Sequence, residues 1–181
     1  MGYILSANEK ENIGKISAAL NAILDIPETL VVLEEHEDAR YKGSHDIVSN
    51  TIFVNEKLWT DYMNESVDYL KAVNLMHFIA TMAHEKRHFW QSINDKEQFA
   101  KDTIVELAYY SDFDSIEPEV YLNLPSEIDA RAFQALIEER LIGQHWPLQT
   151  QIKEEVFNKR LEELKTQYGD RIEKVIQPLY K

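Results

Sequence analysis

The sequence predicts an α+β fold in which a small antiparallel sheet packs on helices. Two short β-branched runs, residues 29–33 and 51–54, are separated by a polar segment that contains Gly43, a pattern typical of neighbouring strands joined by a loop. Across most of the remaining chain, apolar residues recur three and four positions apart, as in helices that bury one face. Because strands and helices do not alternate along the chain, a parallel sheet is not expected.

Each element follows from a local pattern. Residues 8–25 carry one apolar stripe that Pro27 stops, so they are expected to form the first helix. Residues 38–49 are predicted to be a polar loop, with residues 47–48 as a candidate short strand that pairs across the following turn. Gly169 is expected to break the last helix. Helical spacing of apolar residues predicts the other helices at residues 59–63, 69–91, 97–110, 126–141 and 149–168.

The composition limits where the protein acts and what it binds. Its 181 residues are enough for one domain with its own core. The absence of Cys means that any metal must be bound by nitrogen and oxygen ligands. No signal peptide is visible and no apolar stretch reaches about 18 residues, so a cytoplasmic protein without a membrane span is expected. A net charge of −13 repels phosphate backbones, so nucleic acid is not an expected partner.

The strongest chemical signal is a His-Glu-x-x-His pattern at His84, Glu85 and His88, inside a predicted helix. Residues four apart on a helix differ by about 40° in direction and about 6 Å in height, so both imidazoles can reach one metal ion. The Glu85 carboxylate lies beside them, where it can hold and deprotonate a water. The alternative is a charged surface turn with two solvated histidines. The apolar spacing before the motif favours the metal-binding helix.

A catalytic zinc usually has a third protein ligand, and the chain has 32 Asp and Glu residues from which to supply it. The best local candidate follows Pro125, which marks the start of a helix. Ser126 is the predicted N-cap and Asp129 its capping-box partner. Glu127 then lies in the first turn, on the same face as the small Ala130. The alternative is that Glu127 and Asp129 only complement the helix dipole.

The His-Glu-x-x-His pattern together with a downstream Glu-x-x-Ala-x-x-Phe, at residues 127–133, resembles the zincin metallopeptidases whose third ligand is a Glu on a second helix. Among these the chain is most similar to the small ImmA/IrrE-like proteins of bacteria and mobile elements, over about residues 28–140. The resemblance implies a single zincin-like metallopeptidase domain over residues 1–181. The chain departs from the family pattern at Arg131, because the family often has Asn or Asp at this position, and such a residue can hydrogen-bond a ligand histidine. The implied Zn2+ ligands are His84, His88 and Glu127, and the implied catalytic base is Glu85.

The implied function is zinc-dependent hydrolysis of peptide bonds in a peptide or protein substrate. In zincins an edge strand pairs with the extended substrate, and residues 51–55 are either that strand or an ordinary core strand. The alternative is a non-catalytic zincin-fold module that binds a protein partner in the cleft. A di-iron carboxylate bundle would need a second Glu-x-x-His, which the sequence lacks.

Several other polar residues are weaker candidates for the site. His45 lies in the predicted polar loop, where it could approach the metal, but a surface histidine is the default expectation. The acidic residues 112–119 are expected to form a solvated loop rather than a second metal site. Candidates to stabilise the oxyanion of a peptide-bond hydrolysis are Tyr109, Tyr110, Tyr121 and His145.

Overall fold

Seven helices and a three-stranded sheet make up the part of the chain that the computed structural model describes, residues 3–38, 41–111 and 117–176. The helices are α1 (Ala7–Leu24), α2 (Glu56–Asn64), α3 (Asp68–Asn94), α4 (Lys96–Ser111), α5 (Pro118–Leu122), α6 (Pro125–Ile142) and α7 (Glu154–Ile176). The strands are β1 (Leu30–Glu34), β2 (Gly43–Asp46) and β3 (Thr51–Asn55). The fold is therefore of the predicted α+β class. None of the described helices is both long enough and apolar enough to cross a membrane.

The sheet is mixed, which corrects the prediction of an antiparallel sheet. Its order is β1-β3-β2, and β3 pairs in parallel with β1 and antiparallel with β2. The sequence did not predict β2, which lies in the polar segment expected to be a loop. In chain order β2 follows β1, but β2 lies at the opposite edge of the sheet, and β3 lies between the two. The strand β2 thus lies within the long connection between β1 and β3 that a parallel pair requires.

Of the two alternatives for residues 51–55 the core strand is confirmed, and the strand predicted at residues 47–48 is wrong. Residues 51–55 form the central strand β3, whereas one edge of the sheet is β2. Ile47 and Val48 belong to the turn between β2 and β3, where Val48 is 96% exposed. Asp46 closes that turn by accepting hydrogen bonds from the Val48 N–H at 2.9 Å and the Ser49 hydroxyl at 2.7 Å. This local capping competes with strand pairing and ends β2 at Asp46.

The long helix α3 lies at the centre of the fold and is buried over most of its circumference. Phe78, Met82 and Phe89 are each 2% exposed or less, and they belong to a core that also includes side chains of α1, α6, α7 and the sheet. Two neighbouring elements flank its remaining polar stripe, α6 on one side and β2 on the other. Packing on several sides therefore fixes the direction in which His84 and His88 project.

The start of α6 is held by another helix rather than by its own side chains. Its N-cap is Leu124, which makes no side-chain hydrogen bond, so the predicted capping box of Ser126 and Asp129 is wrong. The backbone N–H of Ser126 instead donates to Asp102 Oδ2 of α4 at 2.8 Å. Because α4 satisfies this donor, the first turn of α6, which carries Glu127, is tied to its neighbour.

The last helix, α7, continues through the residue that was predicted to end it. Gly169 lies inside α7, although an interior Gly costs about 1 kcal/mol relative to Ala. Tyr168 and Ile172, on the core side of this helix, are 3% and 0% exposed. Burial of one such side chain contributes about 1.5–3 kcal/mol, which outweighs the local penalty.

Candidate metal centre

Three potential metal ligands meet between α3 and α6. The Nε2 atoms of His84 and His88 are 3.0 Å apart. His88 Nε2 lies 3.1 Å from Glu127 Oε1, and His84 Nε2 lies 3.8 Å from Glu127 Oε2. In a tetrahedral zinc site with bonds of about 2.0–2.1 Å, the donor atoms are about 3.3 Å from one another. The structure therefore brings the three predicted ligands together at separations that suit one ion.

Unpaired buried atoms concentrate at this cluster. Among the described residues, the buried side-chain nitrogen and oxygen atoms without a hydrogen-bond partner are His84 Nδ1, Glu127 Oε2 and Arg131 Nε. Buried polar atoms nearly always have a partner, and exceptions are expected at functional sites or where an ion belongs. Glu127 Oε2 has an ion pair with Arg131 Nη2 at 3.1 Å but no hydrogen bond, and two imidazoles with one carboxylate are a zinc donor set. The residues present therefore fit zinc.

The same three side chains also form a tightly coupled charged group. Burial lowers the pKa of His84 to about 4. Burial opposes the charge on His88 as well, but its hydrogen bond to Glu127 and the nearby carboxylates raise its pKa to about 9. Burial raises the pKa of Glu127, yet the His88 hydrogen bond and the charges of His84 and Arg131 hold it well below its usual range. At neutral pH Glu127 is thus an anion that a cation can bind.

A chain of hydrogen bonds orients the His88 ring. Gln91 Oε1 lies 2.9 Å from His88 Nδ1, so Nδ1 carries the proton and Nε2 is directed at the cluster. The Gln91 amide donates in turn to Asp129 Oδ2 at 2.6 Å and to the Ser126 carbonyl at 3.0 Å. Asp129, predicted to cap α6, therefore supports the predicted ligand His88 through Gln91. The sequence signal for this role was the Gln three residues after His88, on the same helical face.

Glu85 lies beside the ligands and contacts the edge strand. It is 8% exposed, and its Oε2 is 3.6 Å from His45 Nδ1 of β2. Burial raises the pKa of Glu85, but the contact with His45 and the charges of His84 and His88 outweigh it, and the pKa is lowered. Glu85 is therefore ionised at neutral pH, as a proton acceptor must be.

The surface position expected for His45 is wrong. Its side chain is 13% exposed, and its ring stacks on that of His88 with a centroid separation of 5.5 Å and an interplanar angle of 17°. Gly43 of the same strand permits this approach, since a Cβ there would lie 3.0 Å from Glu85 Cγ and 2.8 Å from the Phe53 carbonyl oxygen. The Gly two positions before His45 was the available sequence signal for a close backbone approach, but the residues of β2 did not show a strand pattern.

The candidates for oxyanion stabilisation differ in how close they lie to the metal cluster. Tyr121 lies at the cluster, but its hydroxyl donates to Glu127 Oε1 at 2.9 Å. Tyr109 stacks on the Tyr121 ring at a centroid separation of 4.8 Å. His145 contacts Glu139 at 3.8 Å, and the Tyr110 side chain lies outside the described part. Of the acidic stretch predicted to be a solvated loop, residues 112–116 are also outside it, and residues 118–119 begin α5.

Comparisons with known proteins found no matching family model, no similar curated protein and no similar solved structure. The function is therefore inferred from the side chains of the site and their geometry.

Proposed function

We propose that the protein is a zinc-dependent peptidase. The observation that carries the proposal is the convergence of the donor atoms of His84, His88 and Glu127 within 4.8 Å of one another, with the Glu85 carboxylate adjacent on the same helix. A structural histidine pair would not require a buried carboxylate with one oxygen that accepts no hydrogen bond. A carboxylate next to the predicted ligands that is ionised at neutral pH and contacts the sheet edge can accept a proton.

Each residue has a distinct role in this proposal. His84, His88 and Glu127 would hold the ion, and zinc, when bound, polarises a carbonyl and lowers the pKa of a water. Glu85 accepts a proton from the attacking water and passes it to the nitrogen of the leaving amine. His45 contacts Glu85 at 3.6 Å and limits the directions that the carboxylate can take.

The substrate strand is proposed to lie along β2. Among the described strands, β2 pairs with β3 on one side only, so its other edge offers backbone N–H and C=O groups to an extended peptide. His45 on this strand lies 3.6 Å from Glu85, which places the edge next to the proposed base. A peptide that pairs with β2 would therefore present its backbone to the metal cluster.

A metal-independent binding module is the second candidate. It is favoured by the contacts of Glu127 with His88 at 3.1 Å and Arg131 at 3.1 Å, because these cations already balance the carboxylate. Such a protein would keep the cleft and bind a partner without hydrolysis.

Cleavage of an unbiased peptide library, followed by mass spectrometry, separates the two candidates. The zinc-supplemented wild type is expected to cleave, and Glu85→Gln is expected to retain zinc while its rate falls by about 10²–10⁴-fold, the usual contribution of a general acid–base group. His88→Ala is expected to lose both zinc and activity. Equal cleavage by the wild type and Glu85→Gln, or no cleavage by the wild type, would contradict the peptidase proposal.

A further inference from the structure

Arg131 lies at the metal centre with hydrogen-bonding capacity that its surroundings do not use. It follows Glu127 by one turn of α6, and its Nη2 is 3.1 Å from Glu127 Oε2. That contact is an ion pair without hydrogen-bond geometry, since Glu127 Oε2 has no hydrogen-bond partner among the described residues. The Arg131 Nε is buried and also lacks a partner there, while the side chain as a whole remains 23% exposed.

A metal ion does not explain the unpaired Nε. A guanidinium has five N–H donors, no acceptor, and a permanent positive charge, so it repels a cation and requires an oxygen acceptor. Glu127 is its ion-pair partner among the described residues. A metal bound by Glu127 would share that carboxylate, and Arg131 would keep uncompensated positive charge. The partner that fits both the charge and the fork of donors is an anionic, two-oxygen group.

We propose that Arg131 binds a carboxylate of the peptide held at the metal centre, either its C-terminus or an acidic side chain next to the scissile bond. This inference rests on the proposed peptidase function and adds its substrate class. The partial exposure of Arg131 gives the ligand access. Because Arg131 contacts the predicted metal ligand Glu127, a substrate carboxylate bound by Arg131 would lie close to the metal centre. A protein with a net charge of −13 would otherwise repel such a group, so a fixed local cation decides which peptides bind.

A pair of small ligands tests the role of Arg131 without any cleavage. Acetohydroxamate carries a metal-binding group only, and the monohydroxamate of succinic acid carries the same group and a carboxylate. We expect zinc-loaded wild type to bind the succinic compound about 10–100-fold more tightly, the ratio that hydrogen bonds to a charged group supply. Arg131→Met should lose this preference, which is the ratio of the two affinities, because any change at the metal ligand Glu127 affects both compounds alike. Calorimetric titration measures both constants.

Two further variants serve as controls. Arg140→Met removes an Arg of the same helix, which pairs with Glu173 at 2.6 Å, and should keep the wild-type preference. Arg131→Lys keeps the charge but not the fork, and should keep part of the preference even if Arg131→Met does not fold. If Arg131 only balances Glu127, the Met variant will change both affinities equally, which overturns the proposal. Binding of acetohydroxamate without any carboxylate preference in the wild type overturns it and leaves the peptidase function intact. Failure of both compounds to bind zinc-loaded wild type overturns the two together.

Matched peptides then identify the source of the carboxylate. A cleaved peptide is compared with its C-terminally amidated form and with forms in which Glu or Asp becomes Gln or Asn. A C-terminal carboxylate predicts that amidation lowers the wild-type kcat/KM by about 10–100-fold, and a side chain predicts the same loss for the amide residue. In Arg131→Met, the modification that lowers the wild-type kcat/KM should leave kcat/KM unchanged. A wild type that cleaves all forms equally contradicts the proposal.

Discussion

Two groups of buried polar side chains on and around α3 differ in how completely their hydrogen-bonding atoms have partners. Toward α1 and β1, the fully buried Lys86 donates to Ser17 Oγ at 2.9 Å, to Asn21 Oδ1 at 2.5 Å and to Thr29 Oγ1. All three protons of its ammonium group therefore have an acceptor. Toward α6, the cluster of His84, Glu127 and Arg131 contains each of the unpaired buried side-chain atoms found among the described residues.

A third group shows that burial does not cause this difference. Arg87 is 0% exposed and donates to Asp129 at 2.7 and 3.1 Å and to the Tyr168 hydroxyl at 3.0 Å. Arg160 also donates to Asp129, at 2.7 Å to the Oδ1 atom that accepts from Arg87 Nη2. The scaffold thus satisfies its buried charges within the chain, whereas the candidate site leaves donors and an acceptor for a ligand. Substitutions in the paired groups should change folding, and substitutions in the cluster should change binding.

The largest expected effect is on folding, from Asp129→Ala. This change leaves the buried Arg87 without its carboxylate, and breaking a buried ion pair costs about 3–5 kcal/mol. Urea unfolding monitored by circular dichroism measures the change in the free energy of unfolding. Glu163→Ala is the control, because Glu163 also pairs with Arg160 but is 47% exposed, and its loss should cost about 1 kcal/mol or less. Equal losses for the two variants would remove the distinction between scaffold and site.

The second effect is a pH dependence of folding that Lys86 causes. Burial lowers the pKa of Lys86 to about 7, below its unfolded value, so between these two values the unfolded chain binds a proton that the folded chain does not. The free energy of unfolding therefore rises with pH in this window. From pH 7 to 9.5 the Lys86 contribution is about 3 kcal/mol. The difference between the wild type and Lys86→Met across this range should show the rise, and Lys57→Met, at an exposed ion pair, should not alter it. A difference that stays constant with pH would contradict the prediction.

The third effect is on metal affinity. Gln91→Met removes the acceptor of His88 Nδ1, and loss of such an outer hydrogen bond weakens metal binding by about 10–100-fold. Gln98→Met is the matched control, because Gln98 donates to Asp102 at 2.8 Å and does not contact a ligand. Competition with a chromophoric chelator gives both zinc dissociation constants. Similar constants for the two variants would show that Gln91 does not support the site.

The sequence predicts those features of the site that arise within one helix better than those that depend on packing between distant segments. The i, i+4 spacing of His84 and His88 is a property of one helix, and it places both rings on one face. Glu127 was predicted from the Pro and Ser that mark the start of its helix and from the Glu-x-x-Ala resemblance, although Asp102 of another helix accepts the Ser126 N–H hydrogen bond. Its position opposite the histidines depends on the packing of α6 against α3, which no local pattern encodes.

The parts that sequence reasoning missed depend on long-range contacts. The strand β2 consists of Gly43, Ser44, His45 and Asp46, residues with weak strand preference, and it forms because β3 and α3 lie next to it. Its absence from the prediction led to both the antiparallel sheet and the surface position of His45. Asp129 was assigned to a cap because the capping pattern is local, whereas Arg87 and Gln91 are about forty residues away.

Zinc stoichiometry in two matched variants tests the central claim most directly. Glu127→Gln and Glu138→Gln are the same substitution on the same helix, at residues that are each 2% exposed, but Glu138 bonds to Gln134 and the Trp146 backbone rather than to the histidines. After dialysis against zinc at neutral pH, elemental analysis should find about one zinc per chain in the wild type and in Glu138→Gln, and much less in Glu127→Gln. Well under half an equivalent in the folded wild type, or full occupancy in Glu127→Gln, would contradict the metal centre.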